Sequence, residues 1–296
     1  MPELPEVETV RRGLAAALTG ARIEAVELRR ADLRFPFPDD LEARLTGAVV
    51  ERVDRRAKYL VLPLSTGESL VAHLGMTGRF TVTTREGRLA PGAYLSSVDD
   101  AKHEHVVMTA RRQNGVHGES GEDGEVRVGF VDPRRFGYWD LLPTAALHEG
   151  RWFEGMGPEP LDDAWDGAAL AGALSGRRTP IKAALLDQRV VAGLGNIYVC
   201  EALHRAGVSP RRRAASVGRR RAGLIAAHVK EVLAEAIEAG GSTLSDYRNA
   251  EGRSGYFQHR FSAYGREGED CATCGGTIAR IVQSGRSTFY CGGCQR

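Results

Sequence analysis

The 296-residue chain has no apolar run long enough to cross a bilayer, and no charged-then-apolar segment of signal-peptide form opens it. Membrane insertion and secretion are therefore not expected, and the cytoplasm is the expected compartment. An excess of one charge is also missing. Forty Lys and Arg stand against 38 Asp and Glu, and the net +2 says little about partners. Cysteine is scarce: of five, one is Cys200 and four lie within residues 271–296. Without a secretion signal, that cluster reads as metal ligands and not as a disulfide framework. The 42% hydrophobic content suffices for a globular core, and the length implies two or three domains. Positive charge is concentrated locally at Arg211–Arg213 and Arg219–Arg221. Such clusters can bind phosphate, and they also occur as solvated helix faces.

The metal motif is the strongest local signal. Cys271-x-x-Cys274 and Cys291-x-x-Cys294 are separated by 16 residues. That spacing fits a tetrahedral four-cysteine zinc site, closed to water and hence structural. Thr277–Gln283 and Arg286–Tyr290 read as two strands with Ser284-Gly285 at the tip, forming a zinc ribbon. So small a piece buries too little to fold without its metal. Cys200, inside a helical pattern, reads as a small buried side chain.

Hydrophobic periodicity divides the rest. Val7, Val10, Leu14 and Leu18 recur at helical spacing after Pro5 and stop at Gly20. Short strands are expected at Ile23–Leu28, Ala48–Val53, Tyr59–Leu64, Ser69–Leu74, Phe80–Thr83, Val106–Thr109, Val126–Val131 and Tyr138–Leu142, the pattern of a β-sandwich or barrel. Lys58 would share a face with Leu60 and Leu62 by strand alternation. After the linker Gly157–Leu161, helices are expected at Asp166–Leu174, Ile181–Leu186, Ile197–Ala206 and Val217–Ala239. The last carries Leu224, Ile225, Val229, Val232, Leu233, Ala236 and Ile237 on its apolar side. Asn196, after Gly193-Leu194-Gly195, can cap the following helix, whose N-terminus suits a phosphate. The polar segments 112–125 and 243–257 read as loops.

The first residues carry a chemical possibility. Removal of Met1 would make Pro2 an N-terminal secondary amine. An α-amino group has a pKa of about 7.7–8 against about 10.4 for lysine, so at neutral pH it is far more often a neutral nucleophile. Attack on a sugar aldehyde carbon would give an iminium, with Glu3 beside it for proton transfer. In isolation Pro2 is more simply an ordinary terminal proline.

Read whole, Pro2-Glu3-Leu4-Pro5-Glu6-Val7-Glu8-Thr9-Val10-Arg11-Arg12-Gly13-Leu14 resembles the start of the formamidopyrimidine-DNA glycosylases, a bacterial base-excision repair family, and the resemblance runs to the last cysteine. It implies a multidomain α+β fold. An N-terminal helix plus β-sandwich would occupy residues 1–145, a helix–two-turns–helix domain 146–265, and the zinc ribbon 266–296. It also implies a monomer that binds damaged double-stranded DNA, one structural zinc, and no membrane. The implied activity is excision of oxidised purines by attack of Pro2 on C1′, followed by successive eliminations at the 3′ and 5′ phosphates. Glu3, Lys58 of Ala-Lys-Tyr-Leu, and Arg286 of Arg-x-Thr-Phe-Tyr-Cys would be the other catalytic residues. Alone, Met76 in His-Leu-Gly-Met-Thr-Gly reads as a core filler, and Arg134 and Phe136 in Asp-Pro-Arg-Arg-Phe-Gly as a proline-led turn. The resemblance makes these three the residues that fill the gap left by a flipped base. It makes His103, Arg177, Lys182 and Asn196 further DNA contacts, and loop 243–257 a cover over the flipped 8-oxoguanine. Two alternatives remain at this stage: a sister glycosylase of endonuclease VIII type for oxidised pyrimidines, and a non-catalytic zinc-ribbon DNA-binding protein.

Overall fold

The computed structural model describes residues 1–84, 87–89, 100–112, 124–242 and 257–296. Most of segments 112–125 and 243–257 thus lies outside the described residues. The chain forms two compact units: residues 1–154 with 240–256, and residues 155–239 with 257–296.

The first unit begins with helix α1 (Leu4–Leu18). There follow β1 (Ala21–Leu28), a short α2 (Leu41–Leu45), β2 (Asp54–Arg56), β3 (Tyr59–Pro63), β4 (Glu68–His73), β5 (Arg79–Thr84), β6 (Gly87–Leu89), α3 (Asp100–His103), β7 (Glu104–Arg112), β8 (Glu125–Val131) and β9 (Tyr138–Pro143). The strands make two antiparallel sheets, in the orders β1-β7-β8-β5-β6 and β2-β3-β4-β9. Their inner faces share one core with α1. Val7, Val10, Leu14 and Leu18 of the helix join Leu60, Leu70 and Trp139 of one sheet and Phe80, Met108 and Phe130 of the other. Each such side chain, fully buried, contributes about 1.5–3 kcal/mol. Gly20, at φ +77°, stops α1 in the left-handed region where other residues are strained.

Two sequence expectations fail here. Ala48–Val53 is not a strand and forms only isolated bridges, Val49 to Arg22 and Val50 to Leu64. Its hydrogen bonds are divided between the sheets: the Val50 N–H donates to Ala21 and the Glu51 N–H to Pro63. Lys58 is not on a strand either. Arg56 pairs with Tyr59, so Ala57-Lys58 is a two-residue hairpin turn, with Ala57 at φ +53°.

The second unit holds α4 (Gly167–Leu174), α5 (Ile181–Leu186), α6 (Asn196–Arg205), α7 (Arg219–Glu238) and the hairpin β10 (Ile278–Gln283) with β11 (Arg286–Cys291). Helix α4 is capped by Asp166, whose carboxylate accepts the N–H groups of Ala168 and Ala169. It crosses α7 at Gly167, where a β-carbon would come within 2.5 Å of Gly223 Cα. The buried face of α7 is Ala222, Ile225, Ala226, Val229, Val232, Leu233 and Ala236. Leu224, expected on that face, is exposed. Helix α6 is buried from Ile197 through His204, and within it Glu201 is completely buried. Its carboxylate accepts the N–H groups of Ser262, Ala263 and Tyr264 at 2.8, 3.0 and 2.7 Å, anchoring the segment that enters the ribbon. Glu201→Ala would leave three donors without an acceptor. We expect a loss of about 3 kcal/mol, measured by thermal unfolding of the zinc-loaded protein, whereas exposed Glu231→Ala should leave the transition within about 0.5 kcal/mol of the original.

Candidate active site and metal centre

The N-terminus of the first unit is fixed in place, although chain ends ordinarily fray. Pro2, Glu3 and Glu6 are buried. Glu3 stands at the N-cap of α1 and Glu6 three positions inside it. One oxygen of Glu6 accepts the Glu3 N–H at 2.8 Å. The other accepts the N–H and the hydroxyl of Ser242 at 2.8 and 3.0 Å. Glu6 therefore ties the first residues to a segment 236 positions later. The Glu-x-x-Glu spacing of this clasp is that of a capping box, but nothing in the sequence announces its second partner. Burial lowers the pKa of the Met1 amine from its ordinary value, opposed by Glu3 and Glu6 and assisted by Lys58 and Arg134. Lys58 and Arg134 thus lie close enough to act on the chain terminus. Lys58, in its hairpin turn, is 8% exposed. The turn is held by Arg55, which donates to the Ala57 carbonyl at 2.9 Å and to Glu8 of α1 at 3.3 Å.

The turn bearing Met76 and the loop bearing Arg134 and Phe136 form one cross-linked piece. Asp132, fully buried, accepts the Gly137 N–H at 2.7 Å and the Thr77 hydroxyl. Thr77 in turn accepts the Arg134 N–H at 3.2 Å. Gly75, at φ +61°, lies so close to the other loop that a β-carbon would sit 2.3 Å from the Phe136 carbonyl carbon. On this base Met76 and Phe136 are exposed, at 36% and 40%. The Arg134 guanidinium lies over the Phe136 ring, 4.7 Å from its centroid. Met76 is thus no core filler. His103 ends α3, and its carbonyl accepts the Asp132 N–H at 2.9 Å, placing it beside the same loop. His73, which the sequence did not single out, supports the turn from below. Its Nδ1 accepts the Gly75 N–H at 3.0 Å, and its ring stacks on Tyr138 at 4.9 Å. Burial, with Lys58 and Arg34 nearby, pushes its pKa down to about 4.

In the second unit, Lys182, Asn196 and Arg286 converge on the ribbon hairpin. Ser284 and Gly285, at φ 48° and 72°, form its two-residue tip, and Arg286 follows, exposed. The carbonyl of the next residue, Ser287, accepts from Lys182 Nζ at 3.0 Å and from Asn196 Nδ2 at 2.9 Å. Lys182 also donates to the Thr288 hydroxyl at 2.6 Å. Lys182 is 0% exposed and stands as a buried strut under the residue that follows Arg286. Asn196 does not cap α6: Gly195 occupies the cap and Asn196 begins the helix. Arg177 is half-buried and donates to Asp187 at 3.1 Å and to the Ala173 carbonyl at 2.8 Å.

The sulfurs of Cys271, Cys274, Cys291 and Cys294 lie within 4.8 Å of one another. Cys271 to Cys294 is 3.8 Å and Cys274 to Cys291 is 3.4 Å. Four thiolates at about 2.3 Å from a tetrahedral Zn²⁺ would sit at such separations, so the residues fit the metal. His204 Nε2 lies 3.3 Å from the Cys271 sulfur, in position to fix that ligand from outside. Gly293 leaves room at the knuckle, where a β-carbon would approach the Cys274 sulfur to 3.1 Å.

Two outcomes follow from this geometry. Cys291→Ser, or chelation of the metal, should unfold the ribbon hairpin and free Ser287 from Lys182, while the sandwich stays folded. Hydrogen exchange should lose protection over β10–β11 and keep it over β3–β4. His73 gives a pH effect of defined sign. Its folded pKa of about 4 lies below the ordinary 6.5, so the unfolded chain binds the extra proton. Its contribution is complete above pH 6.5 and is lost as pH falls toward 4. In His73→Phe, the slope of stability against pH across that window should be shallower; an unchanged slope would exclude the assignment.

Comparison with known proteins accounts for nearly the whole chain. Residues 1–139 match the formamidopyrimidine-DNA glycosylase N-terminal domain, residues 156–248 its H2TH domain, and residues 268–296 a zinc finger found in FPG and IleRS. Formamidopyrimidine-DNA glycosylases of Caulobacter vibrioides and Ruegeria pomeroyi are 53% and 54% identical over the full length of both chains. Among solved structures, a complex between the Lactococcus lactis Fpg and DNA containing an abasic site covers all of both chains, with TM-score 0.81 and 32% identity. The MutM (Fpg) protein of Thermus thermophilus has TM-score 0.79 and 38% identity over 99% of this chain and 98% of its own. With its zinc finger, its H2TH domain and its N-terminal domain all matched, the chain belongs to the formamidopyrimidine-DNA glycosylase family.

Proposed function

We propose that the protein is a bifunctional DNA glycosylase and abasic-site lyase of base-excision repair, acting on oxidised purines such as 8-oxoguanine and formamidopyrimidines in double-stranded DNA. The observation that carries this reading is the buried, clasped N-terminus. Once Met1 is removed, the terminal amine belongs to Pro2, which is already buried. One residue away, burial holds the Met1 amine below its ordinary pKa. A neutral secondary amine in that setting is a competent nucleophile at neutral pH.

The steps balance as follows. The Pro2 nitrogen bonds to C1′ as the C1′–base bond breaks, and the departing base takes a proton. Glu3 delivers a proton to the sugar oxygen, opening the ring and leaving an iminium on Pro2. Loss of a C2′ proton expels the 3′ phosphate; loss of a C4′ proton then expels the 5′ phosphate. Lys58 and Arg286 bind those phosphates and steady their departure. Water finally releases the sugar fragment from Pro2. Met76, Phe136 and Arg134 occupy the place of the extruded nucleotide. The two apolar side chains replace its stacking, and the guanidinium offers donors to the orphaned partner base. A braced base suits that task, because a wedge that yields cannot hold a duplex open. Asn196 is assigned a phosphate contact, and His103 and Arg177 peripheral ones. Lys182 acts through Ser287, as a positioning residue for Arg286. Zinc holds the hairpin and takes no part in the chemistry. The enzyme works as a monomer in the bacterial cytoplasm.

Borohydride trapping on a duplex with one 8-oxoguanine opposite cytosine tests the assignment. An adduct mapping to Pro2 is expected. Pro2→Gly should lower base release roughly 10²-fold or more and abolish the adduct, with zinc content and unfolding temperature unchanged. Normal turnover by that variant would remove Pro2 from the mechanism. An adduct formed only with oxidised pyrimidines would move the substrate to the sister class.

A further inference from the structure

Arg178, Arg211, Arg213 and the run Arg219–Arg221 have no part in the chemistry above. Arg211 and Arg219–Arg221 are exposed, as is Arg178, and among the described residues none of these side chains has an ion pair or hydrogen bond. This is not for want of carboxylates. In the same unit Arg189, Arg205 and Arg266 are each paired, with Asp187, Glu235 and Glu269, at 2.7–2.9 Å.

Backbone pairing sets the segment that bears Arg178 alongside the one that bears Arg211 and Arg213. Residues 177–181 run antiparallel to 212–215: the Ala214 N–H donates to Thr179, Ala215 to Arg177, and Ile181 to Arg212, at 2.7–2.9 Å. Pro180 and Arg213 form the bridge between the two segments. Beside them opens a cleft of about 470 Å³ whose lining includes Arg211, Arg212, Arg213, Gln295 and Arg296. Arg212 is occupied there, its Nε donating to the main-chain oxygen of Arg296 at 3.3 Å. Arg211 and Arg213 are not. The start of α7 repeats the pattern at a cost in stability. Arg219–Arg221 sit at the positive end of a 20-residue helix with no acidic residue in its first turn and no side-chain cap. A cation in that position is unfavourable, and an anionic partner would reverse the sign. The turn is also next to the ribbon: Gln283 Nε2 donates to the Pro210 carbonyl at 3.3 Å, and Gln283 pairs with Arg286 across the hairpin.

We propose that Arg178, Arg211 and Arg213 form a second phosphate-binding site that takes the sugar–phosphate backbone of duplex DNA flanking the lesion, with Arg219–Arg221 extending it. The proposal rests on the glycosylase reading for the identity of the polyanion. The planar guanidinium binds phosphate with two parallel hydrogen bonds and keeps its charge at every accessible pH. Such a site adds affinity without sequence preference, as a repair enzyme searching undamaged duplex requires.

The test compares full-length, zinc-loaded wild type with R178Q/R211Q/R213Q. Both are titrated by fluorescence anisotropy against an undamaged duplex and one carrying a tetrahydrofuran abasic analogue, from about 50 to 200 mM salt. Each phosphate contact contributes about 0.9 to the slope of log affinity against log salt. The slope should fall by about 2–3 on both duplexes, so wild type loses about 40-fold more affinity than the variant across that range. Lengthening the duplex beyond the lesion should tighten binding by wild type more than by the variant. Single-turnover base release at saturating DNA should be unchanged. Equal slopes and equal length dependence would overturn the proposal, as would an equal slope change in a control with three arginines outside this region replaced, R22Q/R52Q/R189Q. Wild type that binds both duplexes but releases no base would sink the glycosylase reading, while the slopes would still decide the site.

Discussion

The Glu6 carboxylate performs a task on which the rest of the first unit's chemistry depends. A nucleophile at a chain terminus has the pKa advantage of an α-amine and the disadvantage of the most mobile position in a protein. Glu6 removes the mobility. It accepts from Glu3 one residue after the amine and from Ser242 far along the chain, and α1 carries both into the sandwich core through Val7, Val10 and Leu14. The terminus is therefore positioned by a helix and two sheets, while the amine stays on an end that no further residue blocks once Met1 is gone. The same burial that fixes the terminus also favours the neutral form of the Met1 amine beside it. One constraint thus supplies both geometry and reactivity.

A comparable constraint governs the two exposed loops. Neither the Met76 turn nor the Arg134–Phe136 loop could stay in place alone, since both end in large side chains facing solvent. Asp132 satisfies donors from both, and Gly75 lets their backbones touch where any β-carbon would force them apart. His73 completes the support by accepting from Gly75, a role that requires an unprotonated Nδ1. Its low pKa is the condition for the turn's geometry at neutral pH, with burial as its main cause.

What could be read in the sequence was local, and what could not depended on distant partners. The four-cysteine spacing, the Ser284-Gly285 tip and the helices at 181–186 and near 219–238 follow from short-range pattern and turn chemistry. Lys58 was misplaced on a strand because its turn uses Ala57 at positive φ, without the glycine or asparagine that marks such turns. Ala48–Val53 looks like a strand because its composition is that of one. The pairing that would make it one is divided between β1 and the end of β3. Lys182 is the most instructive case. A lysine beside a helix start resembles a solvated phosphate contact, and its acceptors lie 105 and 106 residues later. No periodicity reports a partner at that distance.

That lysine also shows how the second unit divides its positive charge. A fully buried ammonium is tolerated only when its donors are satisfied. Lys182 meets this with the Ser287 carbonyl and the Thr288 hydroxyl, so its energy goes into fixing β11 rather than into attracting a ligand. Arg286, one residue from that anchor, is held by its backbone while its side chain remains exposed. A guanidinium on a fixed backbone loses less freedom on meeting a phosphate than one on a mobile loop. Precision at the hairpin therefore comes from zinc on one side of β11 and a buried cation on the other. Non-specific attraction is left to arginines outside the ion pairs. A nearly neutral chain can bind a polyanion this way because cations gathered in short runs, such as Arg219–Arg221, are exposed together whatever the net charge of the whole.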